Sequence, residues 1–410
     1  QAQFHVESLR SFQRLFEELT YIHELHEFDT VAYLVPFLDV IQSDATDGQI
    51  TAVALDAVDK FVSFGLIHPD HPRCMEAINT LAWGVINCRF VSSGFQNDEV
   101  VLLKMVSLLI DCLRCPAGEY LSDACVWHMV RKCFQISRQP RASHLLRSSA
   151  EGVLQQMVLT IFGTHKTRAH RVRVTQKDAS TAKLSSAAGE QAGGATGSTA
   201  VATASSASAP SSTSVQVHRP YGFKAMHFVL RFLAFLLAFG RNTPAAVPGQ
   251  EGAKPRPKIR RRNSRSRSPS RERQPSPDGG VEDGPQDLGL TDAPGEGKED
   301  LCIAMHCLGL SLLNVALESG GDEIAQSDEL IGVIQDDICK SLLQNSRSDS
   351  LPVFSLNLRA IFNLFLHFKR HLKVQLEIFF TSVHLKIAGS EASSYDHREL
   401  TLESLLEFCR

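Results

Sequence analysis

From Leu34 to Leu66 the chain reads LVPFLDVIQSDATDGQITAVALDAVDKFVSFGL, two helix patterns joined by a tight polar turn. Pro36 fits a first helical position, where its missing N–H costs nothing. Thr46 and Gln49 have capping-box spacing around Gly48, so a helix is expected to begin near Asp47. Beyond it Ile50, Val53, Ala57, Val58, Phe61 and Val62 recur at steps of three and four and form one apolar stripe, with Asp56, Asp59 and Lys60 outside it. Alternation with a period of two is rare throughout the chain. The pattern predicts an all-α protein.

The same spacing continues through residues 4–163, punctuated by turn residues. Pro69 and Pro72 close one connection, and Ser92, Ser93 and Gly94 mark another. Asn97 is expected to cap the helix EVVLLKMVSLLIDCLRC, ended by Pro116 and Gly118. Ser122 or Asp123 starts the next, which Pro140 ends, and a last helix runs from about Ser143 to Phe162. Helices with short connections favour antiparallel neighbours. Stacked pairs of that kind give an armadillo- or HEAT-like solenoid. From about Gln176 the composition falls to Ala, Ser, Gly and Thr without an aromatic residue, so 164–217 is expected to be a disordered linker. A helix at 218–243 follows, then a second disordered stretch at 244–297. Helical order resumes over 298–410, with stripes Leu301–Met305–Leu308–Leu312–Val315 and Ile361–Leu364–Phe365–Phe368. No exact internal repeat occurs, so the expected fold, an all-α helical solenoid in two blocks with long disordered linkers, rests in its solenoid geometry partly on the family resemblance given below.

A net charge of −3 over 410 residues argues against a polyanion binder as a whole. The run from Phe228 to Phe239 is interrupted by Arg231 and falls short of the ~20 residues of a membrane span, so it reads as a buried helix. No secretory signal is visible in residues 1–20, whose charged and apolar positions follow helical register. The first residue is Gln1, from which an upstream start is expected to be missing or processed. The ten cysteines lie scattered, mostly in apolar helices, as reduced thiols do in the cytosol. Cys112 and Cys115 form a CxxC followed by Cys125, His128 and Cys133. A zinc knuckle wants two such pairs flanked by turns. Two thiols one turn apart on a helix pack as small hydrophobes, which is the preferred reading.

No Walker loop, GxGxxG, HExxH or GxSxG pattern occurs, and no catalytic residue, cofactor or metal site is assigned. His23 with His26, His68 with His71, Glu17 with Glu18 and Asp336 with Asp337 read as surface or capping residues. One segment is chemically distinctive. Between Lys254 and Arg273 ten Lys and Arg face a single Glu, in PRPKIRRRNSRSRSPSRERQPSP. Its serines Ser264, Ser266, Ser268, Ser270 and Ser276 are candidate phosphorylation sites, since each phosphate adds about −1.5 to −2 of charge. Contact with an anion or a lipid headgroup and a tract without partners are the other readings. No aromatic stacking surface accompanies it, so nucleic acid is not expected as a partner.

The runs PFLDVI, ITAVALDAVDKFVSFGLI and NDEVVLLKM resemble the dimerisation and cyclophilin-binding (DCB) domain of the large Arf guanine-nucleotide exchange factors, Golgi brefeldin-A-resistant branch. RPYGFKAMHFVLRFL, LSLLNVALESGG and KRHLKVQLEIFF resemble the HUS domain that follows it upstream of the exchange domain. The resemblance implies a DCB-like domain over 1–163 and a HUS-like domain whose first helix is 218–243 and whose remainder is 298–410. It implies a regulatory, non-catalytic role in Golgi vesicle transport, with homodimerisation through the first domain and a cytoplasmic, peripheral location on Golgi membranes. It also implies an Arf-family GTPase as partner of an exchange domain expected beyond Arg410. Lys60 in DKFVSFGL and Glu99 in NDEVVLLKM match a charged pair that supports DCB dimerisation; the other reading is two exposed charges on helix faces. A stand-alone α-solenoid scaffold without exchange activity is the alternative to the exchange-factor reading. An Arg-Ser-type RNA-processing factor is a weaker third reading.

Overall fold

The computed structural model describes residues 2–22, 29–92, 94–163, 221–240 and 297–410. The expected linker at 164–217 and nearly all of the expected insertion at 244–297 lie outside them. The first block contains α1 (Ala2–Thr20), α2 (Thr30–Ile41), α3 (Gly48–Ser63), α4 (Cys74–Ile86), α5 (Phe95–Arg114), α6 (Asp123–Ser137) and α7 (144–163). The second contains α8 (Phe223–Leu237), α9 (Lys298–Ile324), α10 (328–345), α11 (Leu351–Phe368), α12 (373–388) and α13 (Tyr395–Cys409). π-turns at Ile334–Ile338 and Phe380–Leu385 lie within α10 and α12. No β-strand occurs among the described residues; one isolated bridge joins Asp47 and Val91. The all-α expectation holds.

Helix α2 packs on α4, α4 on α6, and α6 on α8, while α3 packs on α5 in the other layer. Two stacked layers of antiparallel helices are the solenoid arrangement. The buried side chains form one continuous cluster from Leu15 to Val383.

Helix starts follow local chemistry, with three departures from the sequence reading. The cap of α3 is Asp47, whose carboxylate accepts from Ile50 N–H at 2.9 Å. The Thr46 hydroxyl instead donates to the carbonyls of Val40 (3.1 Å) and Ser43 (3.0 Å), tying the turn to α2. Pro36 lies inside α2 rather than at its start, because Asp29, seven residues upstream, caps the helix. One lost N–H is outweighed by burial of Leu34, Leu38 and Ile41 around it. Asn97 lies in the first turn of α5, which begins at Phe95 after Gly94 at φ 128°, a backbone angle that favours glycine. Ser122 caps α6 as expected, accepting from Cys125 N–H at 3.2 Å.

The two blocks meet in a polar clasp over an aromatic joint. Tyr221 N–H donates to Leu121 C=O at 2.9 Å. The Asp123 carboxylate accepts from Gly222 N–H (2.7 Å) and Ala225 N–H (3.0 Å), so the first residue of α6 caps α8. Beneath it Trp127 packs on Phe228 and Phe232 with ring centroids 6.1 and 5.7 Å apart, and Phe134 meets Phe232 edge-on at 5.0 Å. Arg231 points to solvent while Val229, Leu230, Phe232 and Leu233 are buried, so the apolar run is a core helix. Gly320 of α9 lies against the end of α7 as a second contact between the blocks: a Cβ there would sit 2.9 Å from the Phe162 Cβ.

In the second block α9 lies along α11. Both are long and apolar enough to cross a membrane, and each buries about half of its apolar window inside the fold. Asn363 Nδ2 donates to Asn314 Oδ1 at 3.0 Å between them. At the end of the solenoid His384 is buried among Phe380 and Phe408, with Nε2 3.2 Å from Ser404 Oγ. Burial holds its pKa below the usual 6.5, with a weaker opposing effect from Phe379 C=O.

Two outcomes are expected. Trp127→Ala opens the joint and lowers stability by about 3–5 kcal/mol, read as a lower urea midpoint; an unchanged midpoint would show that the blocks do not stabilise each other there. Burial makes His384 take up its proton at lower pH in the fold than in the unfolded chain, so the unfolded chain binds it first as pH falls. Its contribution is complete above about pH 6.5 and is lost below it, and His384→Gln is expected to flatten that part of the stability profile.

Candidate interaction surface of the first block

Helix α3 is apolar on more than one side. Thr51, Ala54, Leu55, Val58 and Val62 are buried. Phe61 is half-buried and meets Tyr33 and Phe37 edge-on at 5.4 and 5.2 Å. Ile50 and Val53, read from the sequence as members of the same stripe, point outward, and Val53 is 69% exposed. The correction has a simple cause: Leu55 and Ala54 complete the inward face with Val58 and Val62, which turns positions 50, 53, 57, 60 and 64 to the opposite side. Phe64 at the end of the helix is 78% exposed.

Lys60 lies on this outward side and is exposed, with no ion pair among the described residues. Glu99 is half-buried on the flank of α5 that faces α7, and it accepts a hydrogen bond from the Ser143 hydroxyl. The two charges are not bonded to each other. Asp56 and Lys104 form the ion pair that joins α3 to α5. Val100 on α5 and Leu145 and Leu159 on α7 are also exposed, so the layer containing α3, α5 and α7 presents apolar side chains at several points. Spacing alone does not reveal this face, because a stripe through Ile50 and Val53 and one through Ala54 and Leu55 fit the same helical period.

The cysteine-rich end of α5 is packed rather than open. Cys112, Cys125 and Cys133 are fully buried, and all ten cysteines are free. Cys115 Sγ donates to Cys112 C=O at 3.3 Å. Burial pushes the Cys125 and Cys133 thiols up to about 12 and Cys112 well above its usual value. Burial also raises Cys115, opposed in part by backbone N–H groups of Gly118 and Ala117. Among the described residues no three His, Cys, Asp or Glu side chains are gathered as a metal site. His71 Nδ1 bonds Leu66 C=O at 2.8 Å, and His68 pairs with Asp70. His23, His26 and the serines Ser264, Ser266, Ser268, Ser270 and Ser276 lie outside the described residues.

Residues 291–410 match the HUS-domain family described as Mon2/Sec7/BIG1-like. The chain is 25% identical over 438 residues to the ARF guanine-nucleotide exchange factor GNOM of Arabidopsis thaliana, covering 99% of this chain and 27% of that protein. It is 28% identical over 460 residues to the Golgi-specific brefeldin A-resistance guanine nucleotide exchange factor 1 homolog of Caenorhabditis elegans, covering 98% and 23%. A shorter match, 32% over 120 residues, is to the brefeldin A-inhibited guanine nucleotide-exchange protein 1 of Rattus norvegicus, covering 29% and 6%. What this chain is similar to, by these matches, is the N-terminal region of large Arf guanine-nucleotide exchange factors. The chain spans about a quarter of the length of the first two relatives. The resemblance read from the sequence, to the Golgi brefeldin-A-resistant branch, agrees with these matches.

Thiol labelling tests the packing of the cysteines. Cys409 is exposed and is expected to react first in the native protein, whereas Cys112, Cys125 and Cys133 react only on unfolding. Rapid native labelling at Cys112 would show that this end of α5 opens.

Proposed function

We propose that this chain is a regulatory part of an Arf guanine-nucleotide exchange factor acting at the Golgi. The first block, 1–163, serves as a DCB-like pairing domain, and the second, with 218–243 and 298–410, as a HUS-like domain. Two copies pair through the outward layer of α3 and α5. Both blocks influence membrane recruitment and the action of an exchange domain on an Arf-family GTPase. The exchange chemistry is assigned to no residue of this chain.

The observation that carries the pairing reading is the outward side of α3, where Val53 and Phe64 are exposed beside Lys60 on a helix whose opposite side is already core. Contiguous exposed apolar side chains mark interaction sites. Charge alone does not decide assembly, because an exposed ion pair contributes ~0–1 kcal/mol. A pair covered in the interface behaves differently: removing one partner costs ~3–5 kcal/mol. Glu99 is already half-covered within one copy.

Light scattering of the purified chain is expected to give twice the monomer mass. Val53→Asp should lower that mass toward one copy, and Lys60→Ala and Glu99→Ala should shift dissociation to higher concentration. Equal masses for wild type and all three variants would reject the pairing face. For the regulatory reading, exchange on an Arf GTPase by the full-length protein is expected to change when residues 1–410 are removed. Identical exchange rates would reject it.

A further inference from the structure

A cleft at the far end of the second block lies away from α3 and takes no part in the pairing reading. It is bounded by the turn after α10, by α12 and by the start of α13, and encloses about 530 Å³. Two cations line it, Arg347 and Lys386, against a single carboxylate, Asp349. All three side chains are exposed, and neither cation has an ion pair or side-chain hydrogen bond among the described residues. Ser382 stands one helical turn before Lys386, and Ser393 lies on the opposite wall; neither hydroxyl is engaged within the described fold.

The walls are held at a fixed separation. His397, in the first turn of α13, bonds Ser394 Oγ through Nδ1 at 2.6 Å and Ser348 C=O through Nε2 at 3.2 Å, so one imidazole ties α13 to the turn after α10. Its ring packs against Phe354 at a 46° tilt, with ring centroids 4.7 Å apart. Helix α13 is 15 residues long and begins at this wall, where the Ser394 hydroxyl accepts from His397 N–H at 3.3 Å. The positive end of its dipole adds to the two side-chain charges.

We propose that this cleft binds a phosphomonoester carried on a polyol, of the chemical class of an inositol phosphate. Arg347 and Lys386 supply the charge that meets the phosphate. Ser382 and Ser393 supply neutral donors. The hollow is far larger than a bare phosphate needs, and Asp349 offers an acceptor for polyol hydroxyls. Such a phosphate comes either from a soluble inositol phosphate or from a lipid headgroup. Leu385 and Tyr395, next in sequence to Lys386 and Ser394, are 59% and 77% exposed, an arrangement that suits a headgroup at a membrane surface. The chain's own Arg-Ser segment fits less well even when phosphorylated, because its ten cations would enter a cleft that is already positive.

The test is calorimetric titration of the whole chain with myo-inositol 1,4-bisphosphate, beside flotation with phosphatidylcholine vesicles with and without phosphatidylinositol monophosphates. Saturable binding is expected. Arg347→Ala and Lys386→Ala should each weaken it about 10-fold, the effect of losing one charge-assisted contact, and Lys224→Ala on α8 should leave it unchanged. Both cations are exposed, so the variants are expected to melt with the wild type. Flotation that requires the phosphorylated lipid and both cations assigns the source to a membrane. Titration without flotation assigns it to a soluble ligand. No saturable binding to either probe, binding equal in wild type and the double variant, or preferential binding of a phosphorylated 260–280 peptide would each overturn the proposal. Loss of the pairing face would leave this result untouched, since the two sites share no residue.

Discussion

The Asp123 carboxylate, which accepts from the backbone of Gly222 and Ala225, is the contact on which the continuity of the molecule depends. It satisfies N–H groups that a helix start otherwise leaves without partners, and it does so across ninety-nine positions of sequence. Under it Trp127, Phe134, Phe228 and Phe232 fill the space between α6 and α8. Packing of that kind makes the two blocks share one core. A disturbance at one end of the solenoid therefore meets rigid, close-packed contacts at the joint. Coupling between the first block and the second has a physical route there.

The outward side of α3 follows from a helix with more apolar residues than its core needs. Ala54, Leu55, Val58 and Val62 cover α2 and α5, leaving Ile50, Val53 and Phe64 in solvent. The hydrophobic effect does not distinguish which apolar stripe turns inward; the neighbours do. The cleft between α10, α12 and α13 illustrates the same rule for charge. Arg347, Lys386 and Ser393 have no meaningful spacing in the sequence, and only the reversal of the chain after α10 and α12 sets them around one hollow.

Much of the fold was legible because helix-forming information is local. The polar turn 42–47, the Ser122 cap and the stripes of α9 and α11 were read from spacing alone, and each stands in the structure. The errors share a cause. Pro36 was placed at a helix start because propensity favours it there, yet the apolar side chains around it gain more by staying helical than one hydrogen bond costs. Asn97 lost the cap to Gly94, whose positive φ ends the preceding turn. Lys60 was rightly placed outside the inward stripe of α3, but Ile50 and Val53 were placed within it, because a period of 3.6 fits two stripes equally well when Ala and Leu are abundant.

By itself the sequence determined the all-α class, the charge of the Arg-Ser segment and the likeness to Arf exchange factors, since periodicity, composition and residue order are properties of the chain. The tertiary structure alone decided which side of α3 is free, that Glu99 bonds Ser143, that Asp123 caps a helix in the other block, and that two cations far apart in sequence share one cleft. Those are outcomes of non-local packing, in which the contact partners of a residue are set by the path of the whole chain and not by its neighbours in sequence.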